Sequence, residues 1–141
     1  MLFKRFSPGA VVSSAILALS MAAPAPTSSE ELDIGNLMNR MEGAYVEVVK
    51  SLLLVPVLEL ANEAPFAKVQ KQLGEIVNTA RLLPKIDNYK NDNSFRNFAG
   101  NVEKQAQGLA ELAGKKRQVA ALSALSRLQD ACMQCHIKFR F

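Results

Sequence analysis

Apolar residues recur every three or four positions in four stretches after residue 30, and no stretch alternates apolar and polar residues as a strand does. This spacing is typical of amphipathic α-helices. The first stripe consists of Ile34, Leu37, Met38, Met41, Tyr45, Val48, Val49 and Leu52. Ser28 or Ser29 is predicted to start this helix, and Pro56 is predicted to kink or stop it.

The second and third stripes are also bounded by residues that start or end helices. Pro65 opens the second helix and Pro84 stops it. Its stripe is Phe66, Val69, Leu73, Ile76, Val77, Ala80 and Leu83. After a polar loop over 84–93, Asn93 or Ser94 is predicted to cap the third helix, and Gly114 to end it in a left-handed conformation. Its stripe is Phe95, Phe98, Val102, Ala106, Leu109 and Leu112.

The fourth helix is predicted from about Lys116 to the C-terminus. Its apolar residues are Val119, Leu122, Leu125, Leu128, Cys132, Cys135 and Phe139. Four helices with three short connections predict an all-α fold, an antiparallel up-down-up-down four-helix bundle. This arrangement puts the start of the first helix beside the end of the fourth.

The N-terminus differs from the rest of the chain. Lys4 and Arg5 precede an apolar run over 9–23, and a Pro/Ser/Thr-rich stretch follows over 24–29. This pattern predicts a signal peptide over 1–22, a flexible linker over 23–29 and a single domain over 30–141. The apolar run is shorter than the roughly 20 residues of a membrane-spanning helix, which favours cleavage and no stable membrane insertion.

Charge narrows the choice of partners only slightly. The whole chain has a net charge of +4, and removing 1–22 takes away two cations and no acid. A balance so close to neutral does not indicate a nucleic acid partner. The cluster Lys115-Lys116-Arg117 is interpreted as a solvated turn between helices, with a docking patch for an acidic redox partner as the alternative.

The most specific motif lies near the C-terminus, where the sequence reads Cys132-Met133-Gln134-Cys135-His136. The spacing C-x-x-C-H is the attachment signal of a c-type haem. Two thiols bind the haem vinyl groups as thioethers, and the adjacent imidazole reaches the iron as an axial ligand. Both cysteines and the only histidine of the chain lie in this motif. The motif therefore predicts one covalent haem c per chain.

Three other interpretations of the two cysteines are weaker. A redox dithiol is expected in a βαβ context, and the sequence predicts no strands. A zinc site needs ligands from a second Cys or His cluster, and the sequence contains none. A disulfide across two residues closes a very small loop and adds little stability.

The end of the chain resembles the class II c-type cytochromes, which comprise the cytochromes c-prime and their methionine-ligated, low-spin relatives. The motif and the following Ile137-Lys138-Phe139-Arg140 fit the family ending C-x-x-C-H-x-x-[FY]-R. The resemblance implies a four-helix bundle with haem near one end, with His136 as the proximal ligand. It also implies that Arg140 lies near the haem propionates, the alternative being a solvated charge at the terminus.

The family divides by the sixth ligand of the iron. Met1 and Met21 leave with the signal peptide, and Met133 lies between the two attached cysteines. Met38 and Met41 remain, about one turn apart on the first stripe. By its resemblance to the methionine-ligated branch, Met38 is the first choice and Met41 the second, although either residue can simply fill the core.

These residues predict an electron-transfer protein of the periplasm that is not an enzyme, with periplasmic redox proteins as partners. The alternative is a five-coordinate cytochrome c-prime that binds nitric oxide or other small gases. The exposed parts of the first two helices allow a homodimer without requiring one.

Overall fold

The structure is a computed structural model, and it describes residues 32–58 and 64–139. It contains four α-helices, α1 (Ile34–Leu58), α2 (Ala64–Leu82), α3 (Asn93–Gly114) and α4 (Gln118–Lys138), with a short 3₁₀ turn at Leu83–Lys85. The predicted all-α, four-helix fold is confirmed. The signal peptide over 1–22, the linker over 23–29 and Arg140 lie outside the described residues.

Three pairs of helices form the main contacts of the bundle. α1 packs along α2, α2 along α3 and α3 along α4, whereas α1 and α4 contact each other far less. The predicted stripes of α1, α2 and α3 supply most of the core: Leu37, Val48, Leu52, Val69, Leu73, Phe95, Val102 and Leu109 are at most 3% exposed. The helical spacing therefore identified the inward faces of three helices.

The predicted apolar stripe of α4 is confirmed except at one position. Leu128 is 0% and Cys135 4% exposed, and the partly buried residues packed against the core include Leu122, Leu125, Cys132 and Phe139. Val119 is the exception, because it is 79% exposed. The stripe also omits three small residues of the inward face, since Ala121, Ala124 and Ala131 are each at most 3% exposed. Alanine gives a weak hydrophobic signal in a sequence, so these three positions are not distinguished by the pattern.

The helix starts also differ from the prediction. α1 begins at Ile34, where the Asp33 carboxylate accepts a hydrogen bond from the Asn36 N–H at 3.0 Å. α3 is capped by Asp92, whose carboxylate accepts from the Phe95 N–H at 2.9 Å. Aspartate is as good a cap as serine or asparagine, so the choice among neighbouring candidates depends on where the chain turns.

The helix ends show two further differences. α1 continues to Leu58, so Pro56 does not stop it. At the end of α3 the left-handed residue is Lys116, with φ 53°, and not Gly114. Lys116 N–H donates to Ala113 O at 2.9 Å, and Arg117 N–H donates to Leu112 O at 3.0 Å. This pair of bonds is a Schellman motif, which satisfies the last carbonyl groups of α3.

The connection between α2 and α3 is irregular, as predicted, but it is not purely polar. Ile86 is 7% exposed. The Tyr89 ring stacks on the Phe95 ring with a centroid distance of 4.1 Å. The connection thereby closes the end of the bundle at which α3 begins.

None of the helices in the described ranges is both long enough and apolar enough to cross a membrane.

Candidate haem site

A cavity of about 380 Å³ lies among α1, α2 and α4. α1 contributes Met38, Met41, Glu42 and Tyr45 to its wall, and α2 contributes Ile76. The residues from α4 are Gln129, Cys132, Met133 and His136. This volume lies in the lower part of the range of cofactor and small-molecule sites, roughly 300–1,000 Å³.

The cavity results from the way in which α1 and α4 meet. Toward the other end of the bundle the two helices are joined, because Gln118 Nε2 donates to Leu52 O at 3.3 Å. Toward the start of α1 and the end of α4 they contact each other little, and the cavity occupies the space between them. Protein interiors are otherwise close-packed, so an opening of this size between two helices is a candidate binding site.

The C-x-x-C-H segment forms the last turns of α4, where helical geometry separates its side chains. Residues four apart lie on the same face of a helix, so Cys132 and His136 both reach the cavity wall. Cys135 is rotated away from them and is 4% exposed among the core residues. The motif thus borders the cavity on one side and the core on the other.

Both thiols are free, and their surroundings keep them protonated. Burial, followed by the charge of Cys132, raises the pKa of the Cys135 thiol to about 11. Burial also raises the pKa of the Cys132 thiol. Catalytic redox cysteines have lowered pKa values, because the thiolate is the reactive form. The environment of this pair is therefore unlike that of a dithiol catalyst.

The two candidate methionines both lie on the wall facing the motif. Met41 is 8% exposed, and Met38 is partly buried against the core. The structure thus brings Met38, Met41, Cys132 and His136 to one cavity. For the two methionines, binding iron and filling the core both stay predictions.

Three wall residues were not predicted as part of a site, namely Glu42, Ile76 and Gln129. Glu42 lies one turn after Met38, and Gln129 lies one turn before Cys132, so helical spacing from the predicted residues could have found both. Ile76 is on α2, and the sequence contained no signal that α2 reaches this cavity.

Tyr45 also lies on this wall, next to Cys132. Burial, followed by the charge of Cys132, raises the pKa of the Tyr45 phenol. Its hydroxyl therefore stays protonated at neutral pH and adds a hydrogen-bond donor to a mostly apolar wall.

Phe139 holds the end of α4 against the aromatic residues at the start of α3. Its ring meets the Phe95, Phe98 and Tyr89 rings edge-on, with centroid distances of 5.1, 5.9 and 6.1 Å. Its backbone N–H donates to Cys135 O at 2.8 Å. The residue orders the turn of the helix that carries His136.

The cavity wall carries one thiol and the imidazole of the motif, Cys132 and His136, and the thioethers of Met38 and Met41 on α1. These groups are of the kinds that hold a c-type haem, whereas the second thiol, Cys135, lies in the core and not on the cavity wall. Across residues 32–58 and 64–139, no group of three or more His, Cys, Asp or Glu side chains is arranged to hold a metal ion. Comparison with known protein families, with curated proteins and with solved structures finds no match to this chain.

Proposed function

We propose that the chain is an electron-transfer protein of the periplasm that carries one covalent haem c and has no catalytic turnover of its own. The observation that supports this most directly is that two walls of one cavity carry the candidate groups. Cys132 and His136 of the C-x-x-C-H motif are on one side, and the thioethers of Met38 and Met41 are on the other. When bound, a haem supplies one-electron chemistry between ferrous and ferric iron.

Each residue then has a separate task. Cys132 and Cys135 provide the two thiols for attachment, and His136 provides the proximal imidazole. Met38 is the proposed sixth ligand, with Met41 as the second candidate. A thioether ligand favours the ferrous state and so raises the reduction potential relative to an open position.

The protein provides more than ligands. Cys132 lies on the cavity wall, and the Phe139 contacts order the helix end on which His136 lies. The buried Cys135 thiol would have to turn from the core toward the cavity to form the second thioether. Because the helices hold both walls, little of the protein must rearrange when the charge of the iron changes. The pattern of residues 1–29 supports export, since it resembles a cleaved signal peptide.

The test is to express the full chain with a c-type cytochrome maturation system and to examine the purified product. We expect a mass increase of one haem that survives denaturation. We also expect a six-coordinate, low-spin visible spectrum in both oxidation states. A product without bound haem, from cells that mature other c-type cytochromes, would contradict the proposal.

The ligand assignment is tested by three matched substitutions of wall methionines. Met38→Ala is expected to convert the spectrum to high spin, whereas Met41→Ala and Met133→Ala leave it low-spin. Met133 is the control because it lines the same cavity from the side of α4 that carries the motif. A high-spin wild-type spectrum that neither Met38→Ala nor Met41→Ala changes would support the five-coordinate, gas-binding alternative.

A further inference from the structure

Three exposed aliphatic side chains lie at the end of the bundle opposite the cavity. Leu53 is 61% exposed and Leu54 49% exposed near the end of α1, and Val119 is 79% exposed in the first turn of α4. The hydrogen bond from Gln118 to the Leu52 carbonyl joins these two helices at the same place. The aliphatic side chains therefore flank one point of contact and belong to one surface.

Three cations lie beside this surface, in the turn between α3 and α4. Lys115, Lys116 and Arg117 are all exposed. The Schellman bonds of Lys116 and Arg117 fix the backbone of the turn. In the sequence, Glu111 is the only acidic residue within four positions of any of the three cations or three aliphatic residues. Among the described residues, this surface therefore combines three exposed cations with three exposed aliphatic side chains.

We propose that this surface, here called the basic tip, adsorbs to a bilayer with anionic headgroups. The basic tip consists of Leu53, Leu54, Lys115, Lys116, Arg117 and Val119. Basic residues are attracted to anionic lipid, and neighbouring aliphatic side chains enter the boundary between headgroups and acyl chains. The basic tip combines cations that complement anionic headgroups with exposed aliphatic side chains suited to the headgroup boundary. A tip that binds no vesicles would instead favour an acidic protein partner.

Adsorption of this kind is peripheral and inserts no helix into the membrane. Leu53 lies twelve residues after Met41 on α1, a distance of roughly 18 Å along the helix axis at 1.5 Å per residue. A molecule adsorbed through the basic tip holds its cavity on the side away from the bilayer. The cavity then stays accessible to proteins in the aqueous phase.

The test is co-sedimentation with vesicles of the full chain purified after export, without its predicted signal peptide. Vesicles containing phosphatidylglycerol and phosphatidylcholine are compared with vesicles of phosphatidylcholine alone. We expect binding to the anionic vesicles, little binding to the zwitterionic ones, and release at high salt. Equal binding to both kinds, or no binding to either, would overturn the proposal.

Matched substitutions locate the surface. The triple variant K115Q/K116Q/R117Q is expected to lower the partition coefficient by about tenfold or more, because each cation contributes separately. The control K85Q/K104Q/R127Q removes the same charge from exposed positions outside the basic tip and is expected to retain most of the binding. Equal losses in both variants would show that net charge, and not this surface, causes adsorption.

The aliphatic residues are tested in the same way. Leu53→Ser with Val119→Ser is expected to weaken binding several-fold. Ile137→Ser, at a position that is 72% exposed near the cavity, is expected to change nothing. Circular dichroism and the haem spectrum show whether each variant is folded. Folded serine variants of the basic tip that bind as well as the wild type would refute the role of the aliphatic residues.

Discussion

The interfaces of α2 with α1 and with α3, here called the α2 seams, differ from the interface, or seam, between α1 and α4. Ion pairs bridge the seams of α2: Arg40 with Glu75 at 2.7 Å, Lys68 with Glu47 at 2.6 Å, and Arg81 with Glu103 at 2.7 Å. Beneath them, Val69 and Leu73 are 0% exposed. The seam between α1 and α4 instead contains a cavity of about 380 Å³.

The α2 seams therefore contribute mainly to the stability of the bundle, whereas the seam between α1 and α4 contains the candidate site. Exposed ion pairs contribute little, about 0–1 kcal/mol each, so the seams of α2 are held mainly by the apolar side chains beneath them. A cavity between helices leaves apolar surface without packing partners, which costs stability until a ligand fills it. The comparison predicts that residues at the two kinds of seam respond differently to substitution.

The largest difference is expected from truncations of the core. Leu73→Ala removes a side chain that is 0% exposed at the α2 seams and is expected to lower the unfolding free energy by about 2–5 kcal/mol. Met38→Ala, at the wall of the cavity, is expected to cost much less in haem-free protein, because Met38 is only partly packed. Urea unfolding of both variants measures this, and equal losses would contradict an open seam.

The second effect depends on pH and concerns the haem-free protein. The folded chain holds the Cys135 proton up to a pKa of about 11, above the ordinary value of 9.0. Stability is therefore unaffected by this group below pH 9 and falls as the pH rises from 9 to about 11. Unfolding titrations across this range should show the decrease, and Cys135→Ala should reduce it. A decrease of the same size in Cys135→Ala would assign it to other groups.

A third prediction concerns a buried hydroxyl group without a hydrogen-bond partner within α2. Thr79 is 0% exposed, and its hydroxyl has no hydrogen-bond partner among the described residues. Thr79→Val keeps the shape and removes the unsatisfied hydroxyl, so we expect the unfolding free energy to rise by about 1 kcal/mol. Thr79→Ser, which keeps the hydroxyl, is the control. A destabilised valine variant would mean that the hydroxyl is satisfied in solution.

The smallest effect is expected at the ion pair between α2 and α3. Arg81→Ala with Glu103→Ala, analysed as a double-mutant cycle with the two single variants, should give a coupling free energy below about 1 kcal/mol. The coupling should decrease further at high salt. A coupling of several kcal/mol would mean that charge, and not packing, closes this seam.

The sequence was sufficient to predict four helices and most of their inward faces, because large aliphatic residues at helical spacing define a face. Val119 on α4 is the clear exception. It was less successful at the helix ends. Asn93 or Ser94 was expected to cap α3, whereas Asp92 does so. Aspartate, asparagine and serine are similarly good caps, so residue type alone does not decide among neighbouring positions. Lys116, and not Gly114, is left-handed, because α3 continues through Gly114 and the chain turns two residues later.

The candidate site likewise combines features that the sequence predicts with features that depend on the tertiary structure. The spacing of Cys132, Cys135 and His136 is local, and it predicts their common chemistry without knowledge of the fold. The meeting of this turn with Met38 and Met41, the inclusion of Ile76, and the open seam depend on contacts between residues far apart in the chain. Local chemistry and helical periodicity are properties of the sequence itself. The space between two helices is decided only when all four pack together, because it depends on the side chains of every seam at once.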